Sequence, residues 1–333
     1  MPGGTRPRDR STSRIGIIPL VERFPALDTI PRVQLGRYPT PVTSPRGLPP
    51  DLWIKRDDLS ADPMGGNKIR ALEFLFGDLA RDDRVVTVGS AGSTHALAVV
   101  TYGKRLGADV VVGRWQQEMN PAAIRVAERL ARDADAAPLF RNPAMAYAWA
   151  WREQLLGARW IPAGGSTPLG VLGHVNAGLE LIAQIDAGAL PQPKHVVVPL
   201  GTGGTAAGLA VAFAIAQRNI IVVGARVVPW IVARRGRVMR LARRTIGLIE
   251  RVTGTTLPRP PAAAFEVSDQ AFGGAYGRET DAARAAAARL ATVSSIRLDG
   301  TYSAKAFAVA LEMAESDPTL FWLTFDSRIL SGS

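Results

Sequence analysis

His195-Val196-Val197-Val198-Pro199-Leu200-Gly201-Thr202-Gly203-Gly204-Thr205 sets an uncharged, valine-rich run directly before a glycine loop. An alanine-rich, equally uncharged segment follows at 206–217. Together, 196–217 is long enough to suggest a membrane span. Pro199 and the glycines at 201, 203, 204 and 208 interrupt it. A buried strand, a glycine loop and a buried helix account for it better. A strand without alternation is covered on both faces, as in a parallel sheet between helices.

The same grammar extends outward. Short apolar runs at 51–56, 85–88, 109–112, 220–225 and 320–325 read as strands. Periodic segments at 67–80, 96–106, 121–132, 144–156, 170–187, 280–292 and 303–314 read as helices. Pro121 takes a favoured first-turn place. Strands alternating with helices predict an α/β protein with parallel sheets flanked by helices. No internal repeat is visible.

The chain has 333 residues, 47% of them hydrophobic, enough for two domains. It contains no cysteine, which excludes disulfides and thiolate metal sites. Its histidines, His95, His174 and His195, have no metal-ligand spacing, so no metal is expected. The formal net charge of +11 raises the question of nucleic acid. Its arginines are not laid out for that. Some fall in a tail at 1–15, read as disordered. Others (Arg234, Arg235, Arg237, Arg240, Arg243, Arg244, Arg251) read as the solvated face of a helix whose inner face carries Val238, Leu241, Ile246 and Leu248. The chain is expected to be cytoplasmic, with no membrane or nucleic-acid partner.

Chemistry concentrates at Met64-Gly65-Gly66-Asn67-Lys68-Ile69-Arg70. Lys68 follows two glycines and opens an apolar helix. Glycines permit close approach to a ligand, and a helix N-terminus disfavours an ammonium. A lysine with a depressed pKa forms Schiff bases with carbonyl compounds; the plain alternative is a solvated lysine in a first helical turn. Gly201-Thr202-Gly203-Gly204-Thr205 offers backbone N–H groups and hydroxyls to a phosphate, or is simply a tight strand-to-helix turn. Gly92-Ser93-Thr94-His95 suits a carboxylate, or a helix cap by Ser93 or Thr94. Tyr302 directly precedes Ser303 near a helix start and Tyr276 lies in a glycine-rich loop; either could equally be a core tyrosine.

Ile54-Lys55-Arg56-Asp57-Asp58, followed by Gly65-Gly66-Asn67-Lys68-Ile69-Arg70-Ala71-Leu72-Glu73, resembles the pyridoxal-phosphate lysine segment of the D-cysteine desulfhydrase and 1-aminocyclopropane-1-carboxylate deaminase family. Ile161-Pro162-Ala163-Gly164-Gly165-Ser166-Thr167-Pro168-Leu169-Gly170, the loop Gly201 to Thr205, and Leu298-Asp299 through Lys305-Ala306 resemble its later blocks, in order. The resemblance implies a two-domain tryptophan synthase beta-like (fold type II) enzyme, with the cofactor pyridoxal 5'-phosphate in the interdomain cleft. It also implies a homodimer and a small amino-acid substrate. Residues 16–75 and 190–333 would form the large cofactor domain, and 76–189 the small one. Lys68 would hold the cofactor covalently, with Asn67, Thr94, Gly201, Thr202, Gly203, Gly204, Thr205 and Ser303 contacting it. Lys68, Ser93, Tyr276 and Tyr302 would be catalytic.

Four departures stand out. The family's Gln-Ser-Asn-His reads Gly92-Ser93-Thr94-His95: the lost Gln is expected to leave room at the substrate side, and Thr94 has a hydroxyl but not the reach of the Asn that would hydrogen-bond the cofactor's ring oxygen. A second lysine near the phosphate is Ala71, and His-Thr-Gly-Gly is Leu323-Thr324-Phe325-Asp326. Ser303 stands where the deaminase places a carboxylate opposite the pyridine nitrogen. A hydroxyl there leaves that nitrogen largely unprotonated and favours β-elimination over cyclopropane opening. The expected activity is therefore β-elimination and deamination, as in D-cysteine desulfhydrase. The alternatives are the cyclopropane deaminase and a diverged, non-catalytic binding protein.

Overall fold

The computed structural model describes residues 18–62 and 64–330; the tail at 1–15 lies outside them. Ten strands are present among the described residues: β1 (Val42–Thr43), β2 (Leu52–Arg56), β3 (Arg84–Ser90), β4 (Asp109–Trp115), β5 (Leu139–Phe140), β6 (Arg159–Ile161), β7 (His195–Leu200), β8 (Ile221–Arg226), β9 (Phe265–Ser268) and β10 (Thr319–Leu323). They alternate with α1 (Pro19–Arg23), α2 (Asn67–Leu75), α3 (Thr94–Arg105), α4 (Pro121–Asp133), α5 (Pro143–Leu155), α6 (Pro168–Asp186), α7 (Gly204–Ile215), α8 (Arg235–Thr253), α9 (Asp281–Val293) and α10 (Ser303–Met313).

Two sheets result. One runs β1-β2-β10-β7-β8-β9, parallel except for the β1–β2 pair. The other, β5-β4-β3-β6, is wholly parallel. Val196, Val197 and Val198 of β7 are fully buried, because β7 lies inside the larger sheet with helices on both faces. α7 needs no polar face because small residues let α6 press against it. A Cβ on Gly178 would come within 2.4 Å of the Ala212 methyl carbon, and one on Gly208 within 2.3 Å of the His174 Cβ. No helix among the described residues is long and apolar enough to cross a membrane.

Some boundaries differ from the sequence reading. α2 stops at Leu75 rather than continuing to 80. Gly77 lies against the backbone of Pro31, where a Cβ would sit 2.0 Å from the carbonyl oxygen, so the chain turns there. α6 falls in the 76–189 segment read as a separate domain, yet Val171, Leu172, Val175 and Leu181 join one core with Val196 and Leu209 of the larger sheet. We propose that the smaller unit ends before Pro168. Along α8, the arginines at 234, 235, 237, 240, 243, 244 and 251 are exposed, while Val238, Leu241 and Ile246 are buried; Leu248 is half-buried.

Candidate active site

In parallel α/β sheets the strand C-termini open onto a crevice where ligands bind. Both sheets point theirs at one place. β3 ends at Ser90, β4 at Trp115, β7 just before Gly201 and β10 just before Thr324; all four residues line one of two adjoining pockets. α2 delivers Lys68 to both pockets from its first turn.

The first pocket is a cradle around the 201–205 loop. Gly203 has φ +89°, the left-handed region that favours glycine, and a Cβ there would strike Val238 at 2.7 Å. No side chain caps α7, so its first N–H groups remain available to an anion. Thr202 Oγ1 is 2.6 Å from Ser166 Oγ, and Asn67 Nδ2 donates to Thr205 Oγ1 at 2.7 Å. These bonds fix both threonine side chains at the rim.

The second pocket is a cleft of about 850 Å³ between the sheets. Lys68, Thr94, Gly201, Thr202 and Tyr302 border both spaces. Ser93 and Tyr276 border the cleft, and Asn67, Gly203, Gly204 and Thr205 border the cradle. Ser303 borders neither; it is fully buried next to Tyr302. Ser93 does cap α3, its Oγ accepting from Ala96 N at 3.2 Å. The two tyrosine hydroxyls hydrogen-bond each other, and the Tyr276 hydroxyl also accepts from Ser90 Oγ at 3.5 Å. Burial pushes both tyrosine pKa values above the ordinary range, so both stay protonated near neutral pH.

Burial lowers Lys68 to about 8. The helix start is therefore not the main cause. The charge of Lys68 in turn acts on His95 and His174, which burial, aided by that charge, holds at about 3. Both imidazoles are neutral at working pH. Gly65 and Gly66 also serve differently than expected. A Cβ on Gly65 would lie 2.0 Å from Asp58 O, and one on Gly66 2.4 Å from Thr324 O. Their close approach is to this chain, and it locks the turn that aims Lys68.

Three departures gain a structural account. A Cβ on Gly92 would sit 2.6 Å from the Ala123 methyl, so α4 fills the room expected there. Gln117, from the loop after β4, instead accepts from Gly92 N at 3.1 Å and borders the cleft. Ala71 is buried against Gly165 and borders neither pocket. Phe325 closes the cradle wall and bridges to Gly66.

The sequence reading missed a buried charge network beneath Lys68. Arg70 pairs with Asp57 at 2.7 Å and Glu180 at 3.0 Å, and Lys55 pairs with Glu180 at 2.5 Å. Trp322 Nε1 donates to Asp57 at 2.8 Å. Burial opposes the ionised Asp57 and Glu180, yet Arg70 holds both carboxyls below their ordinary range.

The pyridoxal-phosphate dependent enzyme family model matches residues 33–324. This chain belongs to that family. A protein of Pyrococcus horikoshii provisionally named 1-aminocyclopropane-1-carboxylate deaminase is 33% identical over 307 residues, 87% of this chain and 89% of its own. D-cysteine desulfhydrase of Salmonella paratyphi C is 31% identical over 298 residues, 85% and 88% of the two chains. The solved structure of an ACC deaminase homologue superposes with TM-score 0.76 at 26% identity, covering 94% of this chain and 98% of that one. The fold is that of the type II pyridoxal-phosphate enzymes, shared with a threonine deaminase of Solanum lycopersicum at TM-score 0.58, 18% identity and 92% and 82% coverage.

The cofactor is pyridoxal 5'-phosphate, and the residues fit it. The cradle offers uncapped amides beside Lys68, whose amine borders both pockets. Ser303 Oγ is buried without a partner among the described residues, a polar atom that a ring nitrogen would satisfy. One consequence concerns pH. Only a neutral amine attacks an aldehyde, so capture of added cofactor by the apo-protein is expected to quicken with pH and level off above about 8. Stopped-flow absorbance measures this; a rate still climbing towards 10.5, the ordinary lysine value, would contradict the placement of Lys68.

Proposed function

We propose that the enzyme catalyses β-elimination from a D-cysteine-like amino acid, releasing a thiol, a keto acid and ammonia. The carrying observation is Ser303, a neutral hydroxyl buried without a partner among the described residues at the start of α10, where the family resemblance puts the group opposite the ring nitrogen. Pyridoxal phosphate, when bound, supplies the electron sink. A hydroxyl opposite the ring nitrogen would leave that nitrogen largely unprotonated, which would favour expulsion of a β-substituent. The Salmonella relative's name supports the same reading.

Lys68 would hold the cofactor, and its amine would take the proton from the substrate Cα. Its lowered pKa leaves a substantial neutral fraction near neutral pH. Gly201 to Thr205 hold the phosphate, with Asn67 bracing Thr205. Thr94, which borders both pockets where the family has asparagine, would contact the cofactor with a shorter reach. Ser93 and the first N–H groups of α3 hold the substrate carboxylate. Tyr302 gives a proton to the departing sulfur, and Tyr276 orients it through their shared hydrogen bond. The family resemblance supports a homodimer, and the absence of cysteine supports a cytoplasmic setting.

The Pyrococcus relatives and the structural neighbour favour a second reading, 1-aminocyclopropane-1-carboxylate deamination. Product assays separate the two. The account expects pyruvate and sulfide from D-cysteine and no 2-oxobutanoate from the cyclopropane amino acid. The opposite pattern reverses the assignment. Spectral change with every amino acid but no keto acid would mark a non-catalytic binding protein.

A further inference from the structure

The cleft is larger than cysteine needs. Its volume of about 850 Å³ lies in the range, roughly 300–1,000 Å³, of pockets for drug-sized ligands. The cofactor cradle accounts for the side around Lys68 and the glycine loop. The other side is aromatic. Trp115, Tyr147 and Trp160 border the cleft but not the cradle. Trp115 and Tyr147 stack at 6.1 Å and 23°, and Tyr147 meets Trp160 edge-on at 6.0 Å and 63°. Val228 and Val232, from the segment between β8 and α8, and Arg237 of α8 also border the cleft.

The width is not an unfastened hinge. Asn120 Nδ2 donates to Gly277 O at 3.0 Å and Thr301 Oγ1 at 2.8 Å, and Glu118 pairs with Arg278 at 3.4 Å. These bonds already tie the loop after β4 to the segments leading into α9 and α10. Tyr147 is nonetheless 44% exposed. An aromatic ligand would cover that surface and gain ring-edge and stacking contacts. Arg237, exposed and without an ion pair among the described residues, offers a cation to a ring face.

We propose that the substrate carries an aromatic group beyond its β-carbon, joined through sulfur, and that Trp115, Tyr147 and Trp160 form its subsite. This rests on the β-elimination reading and changes only what leaves. The Cα–H proton passes to Lys68. The Cβ–S bond breaks, sulfur keeps the electron pair, and Tyr302 protonates it. One water is consumed, giving an aromatic thiol, pyruvate and ammonium.

The test is calorimetric binding to the holoenzyme of α-methylcysteine and S-benzyl-α-methylcysteine, each in both hands. Neither has a Cα hydrogen, so neither can undergo the elimination. In the productive hand the benzyl compound is expected to bind at least about tenfold more tightly than its parent. Tyr147→Ala should remove most of that advantage and leave the parent unchanged, while Tyr147→Phe retains it. Equal binding of both compounds, or equal weakening of both by Tyr147→Ala, overturns the subsite. If D-cysteine still yields pyruvate in that case, only the subsite is wrong. If neither analogue binds and no amino acid is turned over, the elimination reading falls as well.

Discussion

Lys68→Ala should abolish the near-visible absorbance of the purified protein and cut turnover by at least about a thousandfold, the scale of losing a positioned general base. The loss is double, because the same amine is proposed both to hold the cofactor and to move the substrate proton. No neighbour can replace it. His95 and His174 are too weakly basic, held near 3 by burial. Lys55 is committed to Glu180. The fold should survive, since Lys68 forms no ion pair among the described residues and the truncation removes a buried amine. Far-ultraviolet circular dichroism unchanged from wild type would confirm that. A variant that keeps both the band and turnover would show that the chemistry lies elsewhere.

Arg70→Met should lower stability by about 3–5 kcal/mol, the usual cost of removing one partner from a buried ion pair. Arg70 is 1% exposed and joins Asp57 to Glu180, so its loss leaves two buried carboxylates with Lys55 as their remaining cation. The pairs also clamp α2 between β2 and α6, and Lys68 sits on that helix two residues before Arg70. Cofactor affinity should therefore fall with stability. Urea unfolding of the apo-protein separates the two effects. pH adds a check. Asp57 and Glu180 have folded pKa values below their unfolded ones, so their contribution is present above the unfolded carboxylate range, about 4, and is lost as pH falls through the folded values. Wild type should lose more stability than Arg70→Met on acidification. A variant as stable as wild type would mean the network is dispensable.

Much of this was legible in the chain because its signals are local. The valine run of β7, the glycine turn and the charge-free α7 sit side by side in sequence, and burial on both faces writes itself as lost alternation. Lys68 and the 201–205 loop carry neighbouring glycines that mark close backbone approach. What the sequence hid is relational. Arg70 and Glu180 are 110 residues apart, and Trp322 and Asp57 are 265 apart. Read along α2, Arg70 and Glu73 look like solvent-side charges, yet both are buried. The reason for Gly92 is Ala123, and the glutamine that serves it is Gln117, neither readable from the motif itself. The aromatic wall draws on β4, α5 and β6, which only the sheet order brings together. The short elements β1, β5, β9 and α1 were missed because two to five residues carry no period.

Borohydride reduction of the holoenzyme, followed by proteolysis and mass mapping, tests the central assignment most directly. Reduction fixes pyridoxal phosphate to whichever amine holds it. The account predicts the phosphopyridoxyl mass on the peptide containing Lys68 and on no peptide carrying Lys55, Lys104, Lys194 or Lys305. Label on any of those four, or a holoenzyme that takes no label, would contradict it.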